Sequence, residues 1–257
     1  MFLSMLAADR QNKILKLVRT EGSVRTRELA LALACAEETV RRDLDKLAET
    51  GLLARSHGGA TAVDARGRDL EHELRRELFV AEKRVIGQQA AQLVEPHESI
   101  LLDESSTALA MVDLLPEEMP LRVITPSLLV ARRVATHRNH ELVQLGGVFD
   151  PVSVSFGGLL AELAVSRLKI DRFFFSCTGI DAVHGATEPS EDRARTKQRI
   201  IEFSVWNCAL ADHSKIGVTA DYVFAVPGEI DSLVTDRAPE PDTAAALVAA
   251  GIEVRIA

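Results

Sequence analysis

Between residues 82 and 226 the chain alternates helical periodicities with short runs that are apolar along most or all of their length, and this alternation constrains the fold more than any other feature. The runs are 100–102, 123–125, 142–145, 173–175, 208–211 and 222–226, and the helical patterns between them cover 83–93, 128–135, 159–168 and 193–206. A strand with one wet face alternates apolar and polar residues, whereas a strand apolar at every position is covered on both sides. Helices between such strands serve as crossovers between parallel neighbours. Residues 77–257 are therefore predicted to form an α/β domain around a mostly parallel sheet. An apolar content of 47% is enough for packed cores.

The first sixty residues follow a different pattern. Ile14, Leu17 and Val18 recur at helical spacing over 9–19, with Gly22 as a stop. A second helix starts near Thr26, read as its cap, and carries Leu29, Ala30 and Leu33 on one face. Ala34, Cys35 and Ala36 make the turn. A third helix begins at Glu37, points Val40, Leu44 and Leu47 inward at i, i+4 and i+7, and closes at Gly51. Leu52 and Leu53 then open an extended stretch that turns at Gly58 and Gly59, the hairpin wing of a winged helix-turn-helix over residues 1–61. Residues 62–76, charged and without an apolar period, read as a linker.

The third helix presents Thr39, Arg41, Arg42 and Lys46 on the surface that remains after its apolar stripe is buried. Arginine bridges a guanine edge with two hydrogen bonds worth about 1–3 kcal/mol of discrimination, whereas Lys46 and Thr39 suit phosphate or mixed contacts. Arg55 and His57 on the wing extend the same surface toward the backbone or an adjacent minor groove. The plainer alternative is that Arg41 and Arg42 are solvated and pair with Asp43 or Asp45. It loses weight because the pair lies on the second helix of a helix-turn-helix, just before a basic wing. The net charge of -8 does not oppose this: residues 1–60 hold ten Lys and Arg against eight Asp and Glu, so the acidic excess lies entirely beyond them.

The segment TVRRDLDKLAETGLLARSHGGA, with its RRDL core, its LxxxG exit and its RxHGGA wing, resembles the signature of the DeoR- or GlpR-type repressors of sugar catabolism, and the resemblance runs through nearly the whole chain. Cys35 and Ala36 stand where relatives usually carry Val and Ser, which removes a capping hydroxyl worth about 1 kcal/mol.

In the second domain polar residues and glycines gather just after the strands, where open parallel sheets bind ligands. LLDESST places the amides of Ser105, Ser106 and Thr107 where they can cradle a phosphate. Thr125, the pair Gly146 and Gly147, Gly179 with Asp181, and Asp212 with Lys215 complete five clusters. Lys215 supplies a point charge for a phosphate, and Asp103, Asp181 and Asp212 can accept hydrogen bonds from sugar hydroxyls. Each cluster alone is ordinary capping or turn chemistry. The resemblance implies more: a domain similar in fold to sugar-phosphate isomerases that binds a phosphorylated sugar, with Asp103, Ser106, Thr107, Gly179, Asp181 and Lys215 in matching places. Relatives commonly read DxGST where Glu104 and Ser105 stand, and TNS at 125–127. A carboxylate at 104 would repel a phosphate.

Three scattered cysteines, with no CxxC spacing, suggest buried free thiols rather than a disulfide framework or zinc site. No cofactor is expected. His137 and His140, at i, i+3, raise a metal site only weakly. An isomerase would carry a lysine-bearing KGGG loop and a following Glu-Lys pair, whereas this chain reads HGAT at 184–187 and RTK at 195–197. No apolar run is long enough for a membrane span, and MFLSML lacks the flank of a signal peptide, so the chain reads as cytoplasmic. The expected partners are double-stranded operator DNA, a phosphorylated sugar and further copies of the chain as a dimer or tetramer, with repression favoured over activation by the resemblance.

Overall fold

The structure is a computed structural model that describes residues 7–21, 23–49, 53–56, 58–62, 75, 76 and 78–257. Gly22, Gly51, Leu52, His57 and most of the linker expected over 62–76 lie outside the described residues. Packing divides the chain into two units between Leu78 and Phe79.

The first unit contains α1 (Ala7–Glu21), β1 (Ser23–Arg25), α2 (Thr26–Ala32), α3 (Glu37–Glu49) and a wing of β2 (Leu53–Ser56) and β3 (Gly59–Ala62). Ile14, Val18, Leu29, Val40, Leu44 and Leu47 form its core, as their periodicity requires. A third strand, β1, was not foreseen; it pairs with β3 in the order β1-β3-β2. That pairing explains Gly59, where an added Cβ would lie 2.0 Å from the carbonyl oxygen of Val24. Gly58 supplies the positive φ of the turn, +85°. The cap of α2 is Arg25 rather than Thr26. Thr26 is instead the first helical residue, buried, and its amide donates to the Gly58 carbonyl at 2.9 Å, tying the helix start to the wing turn. Asp43, on the inner side of α3, accepts from Arg10 at 2.5 Å and Gln11 at 2.9 Å and so locks α1 against α3.

The second unit is built on a seven-stranded sheet: β4 (Ser99–Leu102), β5 (Leu121–Thr125), β6 (His140–Gln144), β9 (Ile170–Phe175), β12 (Ser204–Leu210), β14 (Ser232–Thr235) and β15 (Glu253–Ile256). The order is β15-β14-β12-β9-β4-β5-β6, and every pairing is parallel. Period-two alternation divides the apolar strands between two cores. Ile100, Leu102, Phe174 and Leu210 face one cluster, with Ile86 and Ala90 of α4 (Val80–Ala91), Met111 of α5 (Ser106–Val112) and Val130 of α6 (Leu128–Val134). Leu101, Phe173, Phe175 and Ala209 face the other, with Val165 of α7 (Leu159–Val165), Ile200 and Ile201 of α8 (Glu191–Phe203) and Leu247 of α9 (Pro241–Ala249).

Two elements differ from expectation. The helical pattern read to residue 206 ends at Phe203, where the Ser204 hydroxyl donates to the Ile200 carbonyl at 2.8 Å. Trp206 lies in β12 opposite Arg172, whose guanidinium sits 4.9 Å over the indole. The run at 222–226 is β13 (Tyr222–Ala225), and it belongs not to the main sheet but to a small antiparallel one with β10 (Gly179–Asp181) and β11 (Gly185–Glu188). A separate hairpin, β7 (Val148–Asp150) and β8 (Ser155–Gly157), leads from β6 into α7. Among the described residues no helix is long and apolar enough to cross a membrane.

Candidate functional site

The outward face of α3 is the first candidate. Arg41 and Arg42 are exposed, Arg42 to 80% of its side chain. Their ion-pair partners are Glu37 and Glu38, one turn earlier at 3.5–4.0 Å, rather than Asp43 or Asp45. Asp43 is taken by Arg10, and Asp45 by Arg55, whose Nε lies 2.8 Å away. Exposed pairs of this kind are worth a few tenths of a kcal/mol, so both guanidiniums exchange partners readily. Lys46 is exposed and Thr39 half-buried beside them. Arg55 is held to the wing by a hydrogen bond from its guanidinium to the Gly59 carbonyl at 2.8 Å, which fixes its stem beside α3.

The second candidate lies where the winding of the sheet reverses. From β4 the chain adds strands on one side through β5 and β6, then returns to the other side of β4 with β9, so the switch point, where open sheets bind ligands, lies beyond the carboxyl ends of β4 and β9. Asp103 and Ser176 follow those two strands directly, and the Asp103 carboxylate accepts from the Ser176 amide at 2.8 Å. Ser176 is a hub. Its hydroxyl donates to the Leu210 carbonyl at 2.7 Å and accepts from Lys215 Nζ at 2.8 Å, and its carbonyl accepts from Lys197 Nζ at 2.8 Å.

Lys197 was not foreseen as a site residue, and it is the centre of this cluster. Only 2% exposed, its ammonium lies 2.7 Å from Glu188, 3.0 Å from Asp103 and 3.3 Å from Glu104. Arg193, one helical turn earlier on α8, holds the other Glu188 oxygen at 3.1 Å. Burial works against the charge of Lys197, but the three carboxylates outweigh it and hold the ammonium firmly protonated. The signal was present in the sequence: on α8 the buried residues Ala194, Lys197 and Ile201 recur at i, i+3 and i+7, so the lysine lies on the inward stripe.

Burial pushes the Glu104 carboxyl above its usual range, opposed by Lys197 and reinforced by Asp103 and Glu188. The folded chain therefore keeps a proton that the unfolded chain releases, and stability falls as pH rises from the ordinary carboxylate range through the raised value. Glu104→Gln removes that dependence. Denaturant unfolding is expected to show the variant matching the parent in acid and gaining on it as pH rises; a constant difference across pH would refute the assignment.

The structure gives most of the expected ligand-contacting aspartates other work. Asp103 accepts from the amides of Ser105 and Ser176 and is fully buried. Asp212 caps a short 3-10 turn through Ser214, and although burial raises its carboxyl, Lys215, Ser214 and Lys83 together hold it below the usual range. Asp181 accepts from the amides of Val183 and His184 in the β10–β11 turn. Ser105 caps α5 by accepting from the Ala108 amide at 3.0 Å, with Ser106 and Thr107 buried behind it. Thr125, also buried, accepts from the Ser127 amide. Gly147 and Gly179 allow close approach: an added Cβ would lie 2.2 Å from the Gly157 oxygen in one case and 2.0 Å from the Val218 oxygen in the other, whereas Gly146 has open space around it. Lys215 is half-buried, so it is the cation of this cluster that reaches solvent. Cys177 and Cys208 are buried free thiols, and burial pushes Cys177 up to about 12. The rings of His137 and His140 stack 4.9 Å apart.

A helix-turn-helix unit with an exposed basic face, followed by a doubly wound α/β unit with a polar cluster at its switch point, is the architecture of a DNA-binding regulator. The sequence matches the DeoR-like helix-turn-helix domain over residues 10–66 and the DeoR C terminal sensor domain over residues 79–237. An HTH-type transcriptional regulator of Bacillus subtilis is 35% identical over 95% of this chain and 94% of its own. The L-fucose operon activator of Haemophilus influenzae is 33% identical over 89% of this chain and 91% of its own. The lactose phosphotransferase system repressor of Staphylococcus epidermidis is 32% identical over 89% and 92%. The chain belongs to the DeoR family of transcriptional regulators.

Proposed function

We propose that this protein is the repressor of a carbohydrate-utilisation operon, bound to its operator through Thr39, Arg41, Arg42 and Lys46 of α3 with Arg55 and His57 of the wing, and released by a phosphorylated sugar. The observation that carries the DNA half is the outward face of α3, whose two arginines are exposed and held only by weak local pairs. Two half-sites on a duplex call for two such heads, hence a homo-oligomer. Repression is preferred over activation, although the relatives include one named for each. A reporter transcribed from the operator decides the sign: deleting the regulator raises expression under repression and lowers it under activation.

For the sensing half, Lys215 is the phosphate-reading cation, anchored on Ser176 at the switch point. Phe79, the first residue of the second unit, packs edge-on against His213 at 5.9 Å, on the loop that carries Lys215, which supports a route from ligand to linker. Lys215→Ala is expected to bind operator as the parent does and to lose release by effector. Titrating phosphosugars against a labelled operator reads both; equal release from variant and parent would sink the assignment.

Catalysis is the second reading. A lysine-carboxylate contact of the kind sought in adjacent residues is made here in space, between Glu188 and Lys197. A general acid or base titrates near the working pH, and Lys197 is held far above it. We read the cluster as structural and the protein as a non-enzyme. Turnover of a pentose or hexose phosphate by purified protein would overturn that.

A further inference from the structure

We infer that the outward surface of the β7–β8 hairpin and α7 is the contact between two copies of this chain. Val148 and Phe149 of β7 and Leu159, Leu160 and Leu163 of α7 are exposed by 44–76%. They form one patch. Phe149 lies opposite Phe156 in the hairpin, ring centroids 5.4 Å apart, and Val148 reaches Gly158, the residue that starts α7, where an added Cβ would be 3.9 Å from its side chain. Leu163, four residues after Leu159 and three after Leu160, neighbours both and continues the patch along the helix.

Three observations favour a second copy as the occupant. First, among the described residues β7 pairs with β8 alone, so it is the outer edge of a two-stranded sheet. Such a hairpin is marginal in water, and an edge bearing valine and phenylalanine invites covering. The other strand is already anchored, with the Phe156 amide donating to the Pro126 carbonyl at 2.9 Å and the Leu128 amide to the Val154 carbonyl at 3.0 Å. Second, the patch is self-compatible. Glu162, beside it on α7, is held by Arg195 at 3.1 Å, so two patches meeting about a two-fold axis bring no bare carboxylates together. Third, the five side chains expose roughly 500 Å² of apolar surface, over half of the ~800 Å² that each partner gives to a standard interface.

This inference rests on the homo-oligomer reading above, and the experiment separates the two. Light scattering and sedimentation of the full chain are compared for the parent, for Leu160→Asp combined with Leu163→Asp, and for Val248→Asp, an exposed residue of α9 outside the patch. The parent is expected to run as at least two chains, the double variant at half that mass, and Val248→Asp as the parent. A parent that runs as one chain throughout the micromolar range overturns the oligomer and the surface together. A double variant that keeps the parent's mass overturns the surface alone. If the double variant melts early, hydrogen exchange of the parent decides. Amides at 148–150 and 159–163 that slow with rising concentration support the interface, and amides indifferent to concentration overturn it.

Discussion

Replacing Lys197 by methionine is expected to lower the melting temperature of residues 79–257 by roughly 10 °C at neutral pH. The substitution keeps most of the side-chain volume and removes the one charge shared by Asp103, Glu104 and Glu188. Deleting one partner of a buried ion pair costs about 3–5 kcal/mol, because the other charge stays behind without compensation. For a unit of this size each kcal/mol moves the melting temperature by about 2–4 °C. Here three carboxylates are left, all less than a tenth exposed, and the remaining cation, Arg193, pairs with Glu188 and acts on Glu104 more weakly than Lys197 does. The deficit also depends on pH. Burial already raises the Glu104 carboxyl and Lys197 opposes that rise, so without the ammonium the folded variant holds a proton that its unfolded chain does not, and its stability falls as pH rises. Thermal unfolding followed at pH 5 and pH 7.5 should therefore show the gap between variant and parent narrowing in acid. A melting temperature unchanged at both pH values would mean that the cluster does not hold the strand ends together.

How visible these features are in the sequence depends on the range over which each residue acts. The parallel sheet was legible because Ile100 to Leu102 and Phe173 to Phe175 are apolar on both faces, and each face meets its own core. The wing was legible because Gly58 and Gly59 mark a turn that other residues do not make easily, although β1, three residues long, gave no period to read. Trp206 was misplaced because an apolar residue soon after a helical stripe continues the helix pattern equally well; its pairing with Arg172 on β9 is a tertiary fact. The ligand site was legible as a place but not as a mechanism. Strand ends carry Asp103, Ser105, Thr125 and Asp212, yet these side chains spend their hydrogen bonds on the backbone around them. Lys197 escaped notice because RTK on a helix reads as solvated charge, and its partners Asp103 and Glu104 lie more than ninety residues away along the chain.

Arg42→Ala should cost operator affinity far more than it costs stability, and that asymmetry tests the reading face directly. In the free protein Arg42 is 80% exposed and touches Glu38 at 3.5 Å, a surface pair whose loss costs a few tenths of a kcal/mol. On DNA, an arginine that bridges a guanine contributes about 1–3 kcal/mol, and a homodimer loses that amount at both half-sites. The expected loss is about 2–6 kcal/mol, roughly thirty-fold in Kd at the low end and about twenty-thousand-fold at the high end. The same measurement at several salt concentrations assigns the contact. If Arg42 meets a phosphate, the slope of log affinity against log salt falls by about one per contact and all sequences weaken alike; if it reads a base, the slope holds and discrimination at one position collapses. Arg41, less exposed and shared between Glu37 and Glu38, serves as the internal comparison. Unaltered affinity in Arg42→Ala and Arg41→Ala alike would move the DNA contact off α3 altogether.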